Sequence, residues 1–83
     1  MPAKVKNYAK NQFVITEGNG TTYFQSYRSI IAKKTKSGQV YLDKRYWDYS
    51  TTTGKYRNKF LGEKKAATEK KIKSGKYKLT NLN

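Results

Sequence analysis

The sequence predicts an α+β domain: a three-stranded antiparallel meander, then a two-helix, helix-turn-helix-like unit and a short C-terminal strand. Three observations predict it. Aromatic and β-branched residues alternate up to about residue 45, glycine-containing turns divide them, and the apolar spacing lengthens near Ser50. With 83 residues the chain has room for one small domain, 11–83, behind a flexible basic arm, 1–10.

The arm carries Lys4, Lys6 and Lys10 and has little to bury. It could lie along phosphates or enter a minor groove, or serve only as a solubilising tail. Phe13 and Ile15 alternate with Val14 and Thr16 as in a strand, and Gly18-Asn19-Gly20 tolerates the positive φ of a hairpin turn. A second strand starts near Thr22, runs through Tyr23, Phe24 and Tyr27, and continues past a bulge through Ile30 and Ile31 to about Lys34. Lys36-Ser37-Gly38 reads as a turn and Val40-Tyr41-Leu42-Asp43 as the third strand. Phe13, Phe24, Tyr41, Leu42 and Trp47 are the expected core, because rings supply a large buried area in a domain poor in aliphatics. Tyr23, Tyr27, Tyr46 and Tyr49 suit either core or surface.

Ser50 or one of the three threonines after it can cap a helix by accepting from an orphan backbone N–H. Thr53, Tyr56 and Phe60 then fall on one helical face, with Leu61 beside them, until Gly62 interrupts. Residues 64–74 favour helix again. Gly75 is placed to stop it, and Lys70, Lys71 and Lys73 suit the negative end of the helix dipole. The spacing leaves open whether 53–74 is one helix or two. The ending KYKLTNLN reads as a short return strand.

Nineteen Lys and Arg against five Asp and Glu give a net charge of +14. Such a surplus opposes compaction and attracts polyanions, nucleic acid first among them. There is no Cys and no His, which excludes disulfides, zinc sites built on thiolate or imidazole, and His-dependent catalysis. Glu63-Lys64-Lys65, with Asp43 or Asp48 upstream, has a spacing used by metal-dependent nucleases, but acids in a Lys-rich chain match it by chance. The chain is therefore expected to bind and not to catalyse, with no metal and no cofactor. No apolar run is long enough to span a bilayer and the N-terminus lacks a signal-peptide pattern, so a cytoplasmic setting without a membrane partner is expected.

FLGEKKAATEKKIKSGKY resembles the excisionase-type and small winged-helix DNA binders, in Leu61-Gly62 and in Ile72-Lys73-Ser74-Gly75. It departs from them at Thr68, where those families carry an apolar residue. The resemblance implies that Thr68 and Ile72 pack inward while Lys64, Lys65, Lys70 and Lys73 face a groove or its phosphate walls. YWDYSTTTGKYRNKFLGE and IKSGKYKLTNLN also resemble small uncharacterised proteins of bacteriophages and mobile elements, which implies a host-cell cytoplasm as the setting.

The expected function is nucleic-acid binding, with DNA favoured over RNA. The candidate contacts are Lys55, Arg57, Lys59, Lys64, Lys65, Lys70, Lys71, Lys73 and Lys76, with Arg28 and Arg45 from the sheet half. Arginines number only three, Arg28, Arg45 and Arg57, so phosphate gripping with weak sequence specificity is expected over base reading. YFQSYRS and LDKRYWDY interleave aromatics with cations and could stack unpaired bases. The alternative is an inhibitor or adaptor docking on an acidic or nucleic-acid-accepting surface of a host protein. Oligomeric state is not legible in the sequence.

Overall fold

The computed structural model describes residues 4–83. Its chain order is β1 (Lys4–Ala9), β2 (Gln12–Thr16), β3 (Thr22–Ser26), β4 (Ser29–Lys34), β5 (Val40–Asp43), α1 (Thr51–Leu61), α2 (Lys65–Lys73) and β6 (Tyr77–Thr80). The strands form one mixed sheet in the order β1-β2-β3-β4-β5-β6, antiparallel throughout except that β6 runs parallel to β5. This overturns the three-stranded meander with a helix-turn-helix unit. A parallel neighbour needs a long crossover, and α1 and α2 are that crossover.

Two misreadings account for the extra strands. Most of the expected flexible arm is β1, and residues 1–3 of that expectation lie outside the described residues. β1 has little to bury because it is the sheet edge, where lysines are a common guard against further pairing. Asn11, at φ 63°, makes the tight turn into β2. The long second strand is in fact β3 and β4, folded back at Tyr27-Arg28. Tyr27 adopts φ 56°, a left-handed conformation usually left to Gly or Asn, so no turn residue marks the hairpin. A bulge follows, since Phe24 pairs with Ala32 and Gln25 with Ile30, leaving Ile31 as the extra residue.

Register fixes the two faces of the sheet. Val14, Phe24, Ala32 and Leu42 stand in one row and face the helices. The buried apolar residues are Phe24, Ile31, Ala32, Val40, Leu42 and Tyr77, with Tyr8, Trp47, Tyr56, Phe60 and Ile72 packed against them. Phe24 stacks on Phe60 with centroids 5.9 Å apart, and Tyr8 on Tyr56 at 6.2 Å. Phe13 and Tyr41, expected in the core, lie on the opposite face, because each alternates with a residue that points at the helices.

Ser50 is the α1 cap, accepting from Thr53 N–H at 3.1 Å. The Thr53 hydroxyl lies 2.9 Å from that of Ser26, which seats the first turn of α1 on β3. At Gly62 the backbone turns to φ 70°, ending α1 and separating it from α2. Gly75, at φ 82°, closes the turn from α2 into β6.

Gln12 is buried under this interface, and neither polar atom of its amide has a hydrogen-bond partner. A buried amide without a partner costs on the order of 1–3 kcal/mol. Gln12→Met keeps the length and removes both polar atoms. It should raise stability by about 1 kcal/mol in chemical denaturation; a lower midpoint would show that the amide is satisfied in solution.

Candidate nucleic-acid interface

The structure sorts the eleven predicted contact residues into three groups. Arg57 is removed from the surface altogether, at 1% exposure. Its Nη1 donates to the Trp47 carbonyl at 2.7 Å and pairs with Asp48 Oδ1 at 3.4 Å, while Nη2 donates to Asn58 Oδ1 at 3.0 Å. The guanidinium also lies 5.3 Å from the centre of the Trp47 ring. Arg57 is four residues after Thr53, so it shares the inward face of α1. It is a structural cation that ties α1 to the loop after β5.

Lys65 and Lys71 reach the surface but are held by carboxylates. Lys65 Nζ lies 2.6 Å from Asp48 Oδ2, so Asp48 bridges α1 and α2. Lys71 pairs with Glu63, which also accepts from the Thr68 hydroxyl at 2.7 Å and the Tyr77 hydroxyl at 3.0 Å. Thr68 is fully buried, and a threonine fits there because its hydroxyl donates to the Glu63 carboxylate.

These acids are structural. Partial burial alone would raise Glu63, but hydrogen bonds from Lys71, Thr68 and Tyr77 outweigh it and hold its carboxyl below the ordinary value. Asp48 is lowered chiefly by its bond with Lys65. Asp43 is buried, which raises it, yet backbone donors from Leu82, Tyr46 and Arg45 bring it below the ordinary value. The carboxylates of the nuclease-like spacing therefore serve as an α1–α2 tie, a junction lock and a loop anchor.

The remaining cations face water. Lys55 and Lys59 stand one turn apart on α1, with ammonium groups 5.4 Å from the Tyr56 ring and 4.6 Å from the Tyr8 ring. Lys70 and Lys73 share the outer face of α2, and Lys64 and Lys76 flank that helix; all six are exposed. Ion pairs among the described residues engage only Arg57, Lys65 and Lys71. Like charges at i, i+4 on a helix are mildly destabilising, so the Lys55–Lys59 spacing works against the fold.

Arg28 lines an open cleft of about 480 Å³ with Tyr27, Tyr46, Tyr49, Asn11 and Ser26. YFQSYRS and LDKRYWDY, far apart in sequence, thus meet at one end of the sheet. Tyr46 and Tyr49 pack edge to face, 5.8 Å apart. The Tyr27 N–H donates to the Asn11 carbonyl at 2.7 Å, joining the two non-glycine residues of positive φ. Arg45 lies in the adjoining cleft with Lys44, Asn81 and Asn83.

Lys33 was not singled out by sequence reasoning, and Lys78 was counted with the basic residues of the helical segment 55–78, yet both stand on the helix-free face of the sheet. Lys33 Nζ lies 5.9 Å from the Tyr23 ring and 5.6 Å from the Tyr41 ring. The signal was the period-two alternation of the three strands, which needs the β3–β4 turn to be read in register.

The lowered Glu63 sets an acid dependence. Its folded pKa lies below the ordinary 4.5, so its stabilisation is complete above that value and is lost as pH falls through the folded pKa. Glu63→Gln should be less stable than wild type at pH 7, and the gap should close on acidification below about pH 4.5. Denaturation midpoints at pH 7, 4 and 3 check this; a gap independent of pH would show that the charge contributes nothing.

Residues 1–76 match the model of a family of unknown function, DUF8033. No curated protein and no solved structure matches the chain. The family match runs through β1 to β5, both helices and the turn into β6, and on that extent the chain belongs to the family of unknown function DUF8033.

Proposed function

We propose that this protein binds nucleic acid by gripping phosphates with exposed lysines and with weak sequence specificity. The observation that carries the reading is the disposition of charge. The net charge is +14, only three cations among the described residues are engaged by carboxylates, and exposed lysines line the outer faces of both helices. Lysine is a compact point charge that suits phosphate oxygens without reading a base edge. The Lys55–Lys59 and Lys70–Lys73 pairs keep like charges close, an arrangement that a polyanion relieves.

The contact is electrostatic, so its affinity falls steeply with salt, by a slope set by the number of phosphates engaged. Mobility-shift or anisotropy titrations over a salt series measure that slope. Wild type should bind at low salt, and K64A/K70A/K73A should flatten the logarithmic slope by about 2–3, near one phosphate per lysine. Absence of binding to DNA and RNA at low salt would sink the reading. An unchanged slope in the triple variant would move the contact to other lysines.

A further inference from the structure

We propose that the helix-free face of the sheet is a stacking platform for the unpaired bases of single-stranded nucleic acid. The inference rests on the nucleic-acid reading above and names the form of nucleic acid that the site takes.

One row crosses all six strands in register: Val5, Ile15, Tyr23, Lys33, Tyr41 and Lys78. Phe13 stands on the same face, two residues before Ile15. Strand spacing makes the row about 24 Å long and sets Tyr23 and Tyr41 about 10 Å apart. Both helices pack on the other face. Ile15, Phe13, Tyr23 and Tyr41 lie outside the hydrophobic cluster that they cover, and each stays partly exposed. Val5 is 62% exposed at the edge. Rings and branched side chains thus stand on the face of the sheet opposite the helices, and among the described residues none of them belongs to the buried cluster.

The charge on this face selects its occupant. Lys33 lies between two tyrosine rings, within cation–π distance of both, and Lys78 closes the row. The row itself contains no carboxylate, although Glu17, in the turn after β2, lies close enough to Tyr23 to raise the pKa of its hydroxyl. A second copy of this chain would bring another +14 against these lysines. A duplex presents phosphate walls and keeps its base faces stacked away from the rings. A single strand offers what the row lacks: π faces for Tyr23, Tyr41 and Phe13, and phosphates for Lys33 and Lys78. Stacking of this kind tolerates any base, in keeping with a chain poor in arginine.

The test is fluorescence anisotropy at fixed low salt with labelled oligo-dT, oligo-U and a DNA duplex of the same length. Wild type should bind the single strands more tightly than the duplex. Y23L/Y41L should lose about tenfold or more on single strands, the scale expected of lost base–aromatic stacks, while duplex affinity and salt slope stay unchanged. Preference for oligo-dT or oligo-U then tells DNA from RNA. Equal or tighter duplex binding, or single-strand affinity intact in Y23L/Y41L, overturns this inference and leaves the phosphate-gripping reading standing. Failure of wild type to bind any of the three probes sinks both. Sedimentation that shows a wild-type dimer dissociated by Y23L/Y41L assigns the face to a second copy and also overturns it. Should the variant fail to fold by circular dichroism, photocrosslinking of wild type to a thiothymidine oligonucleotide decides. Adducts on the Phe13, Tyr23 or Tyr41 peptides support the platform, and adducts confined to the helices overturn it.

Discussion

A scarcity of carboxylates governs this molecule. The chain has five, and three of them hold the crossover that makes the sheet mixed. Asp48 joins Arg57 of α1 to Lys65 of α2. Glu63, at the α1–α2 junction, gathers Thr68, Lys71 and Tyr77 and so fastens α2 to β6. Asp43 ends β5, accepts from two backbone N–H groups of the following loop, and takes a third from Leu82 beyond β6. A parallel edge strand of four residues has few ladder bonds of its own, so these ties substitute for length. Two of these acids, Asp43 and Glu63, are largely buried, while Asp48 stays exposed beside its two cations.

One-sided packing follows from the same small inventory. Six buried apolar residues, assisted by rings from α1 and β1, fill one layer between sheet and helices. Among the described residues, neither helix covers the second face. The apolar residues there are only partly buried and lie outside the core cluster of the described residues. The two surfaces also differ in chemistry: lysines in ladders along the helices, rings with two lysines across the sheet. Phosphate attraction governs encounter from any direction, and stacking is short-ranged and acts only on bases that have left a duplex.

Legibility in the sequence tracked how local each determinant was. The Gly18–Gly20 hairpin, the Ser50 cap, the Thr53–Tyr56–Phe60 face and the stops at Gly62 and Gly75 are set by a few neighbouring residues, and each was readable. The β3–β4 turn was hidden because Tyr27 holds a left-handed conformation that its side chain disfavours, stabilised by the Asn11 carbonyl from another hairpin. β1 was hidden because an edge strand shows weak alternation, although Asn11 offered a turn signal. Arg57 was misplaced since its charge, judged alone, points to solvent; its position on the face of Thr53 and Phe60 pointed inward. Alternation set Phe13 opposite Val14, but Tyr41 and its neighbour Leu42 were both assigned to the core; which face the helices cover depends on the whole topology.

Charge and packing together make salt act on this protein in two opposite senses. Free in solution, the unopposed lysines repel one another, and added salt screens that repulsion in favour of the compact state. Bound to a polyanion, the same lysines have partners, and added salt competes with them. A ligand that binds only the folded chain stabilises it by mass action, so on the proposed reading a polyanion would stabilise the fold where salt is low, and screening would do so where salt is high. The carboxylate ties escape most of this exchange, because Glu63 and Asp43 are largely buried and feel little of the bulk ionic strength. The Asp48–Lys65 pair is more exposed and more open to screening, so within the crossover the Glu63 and Asp43 ties are the ones that ionic strength reaches least.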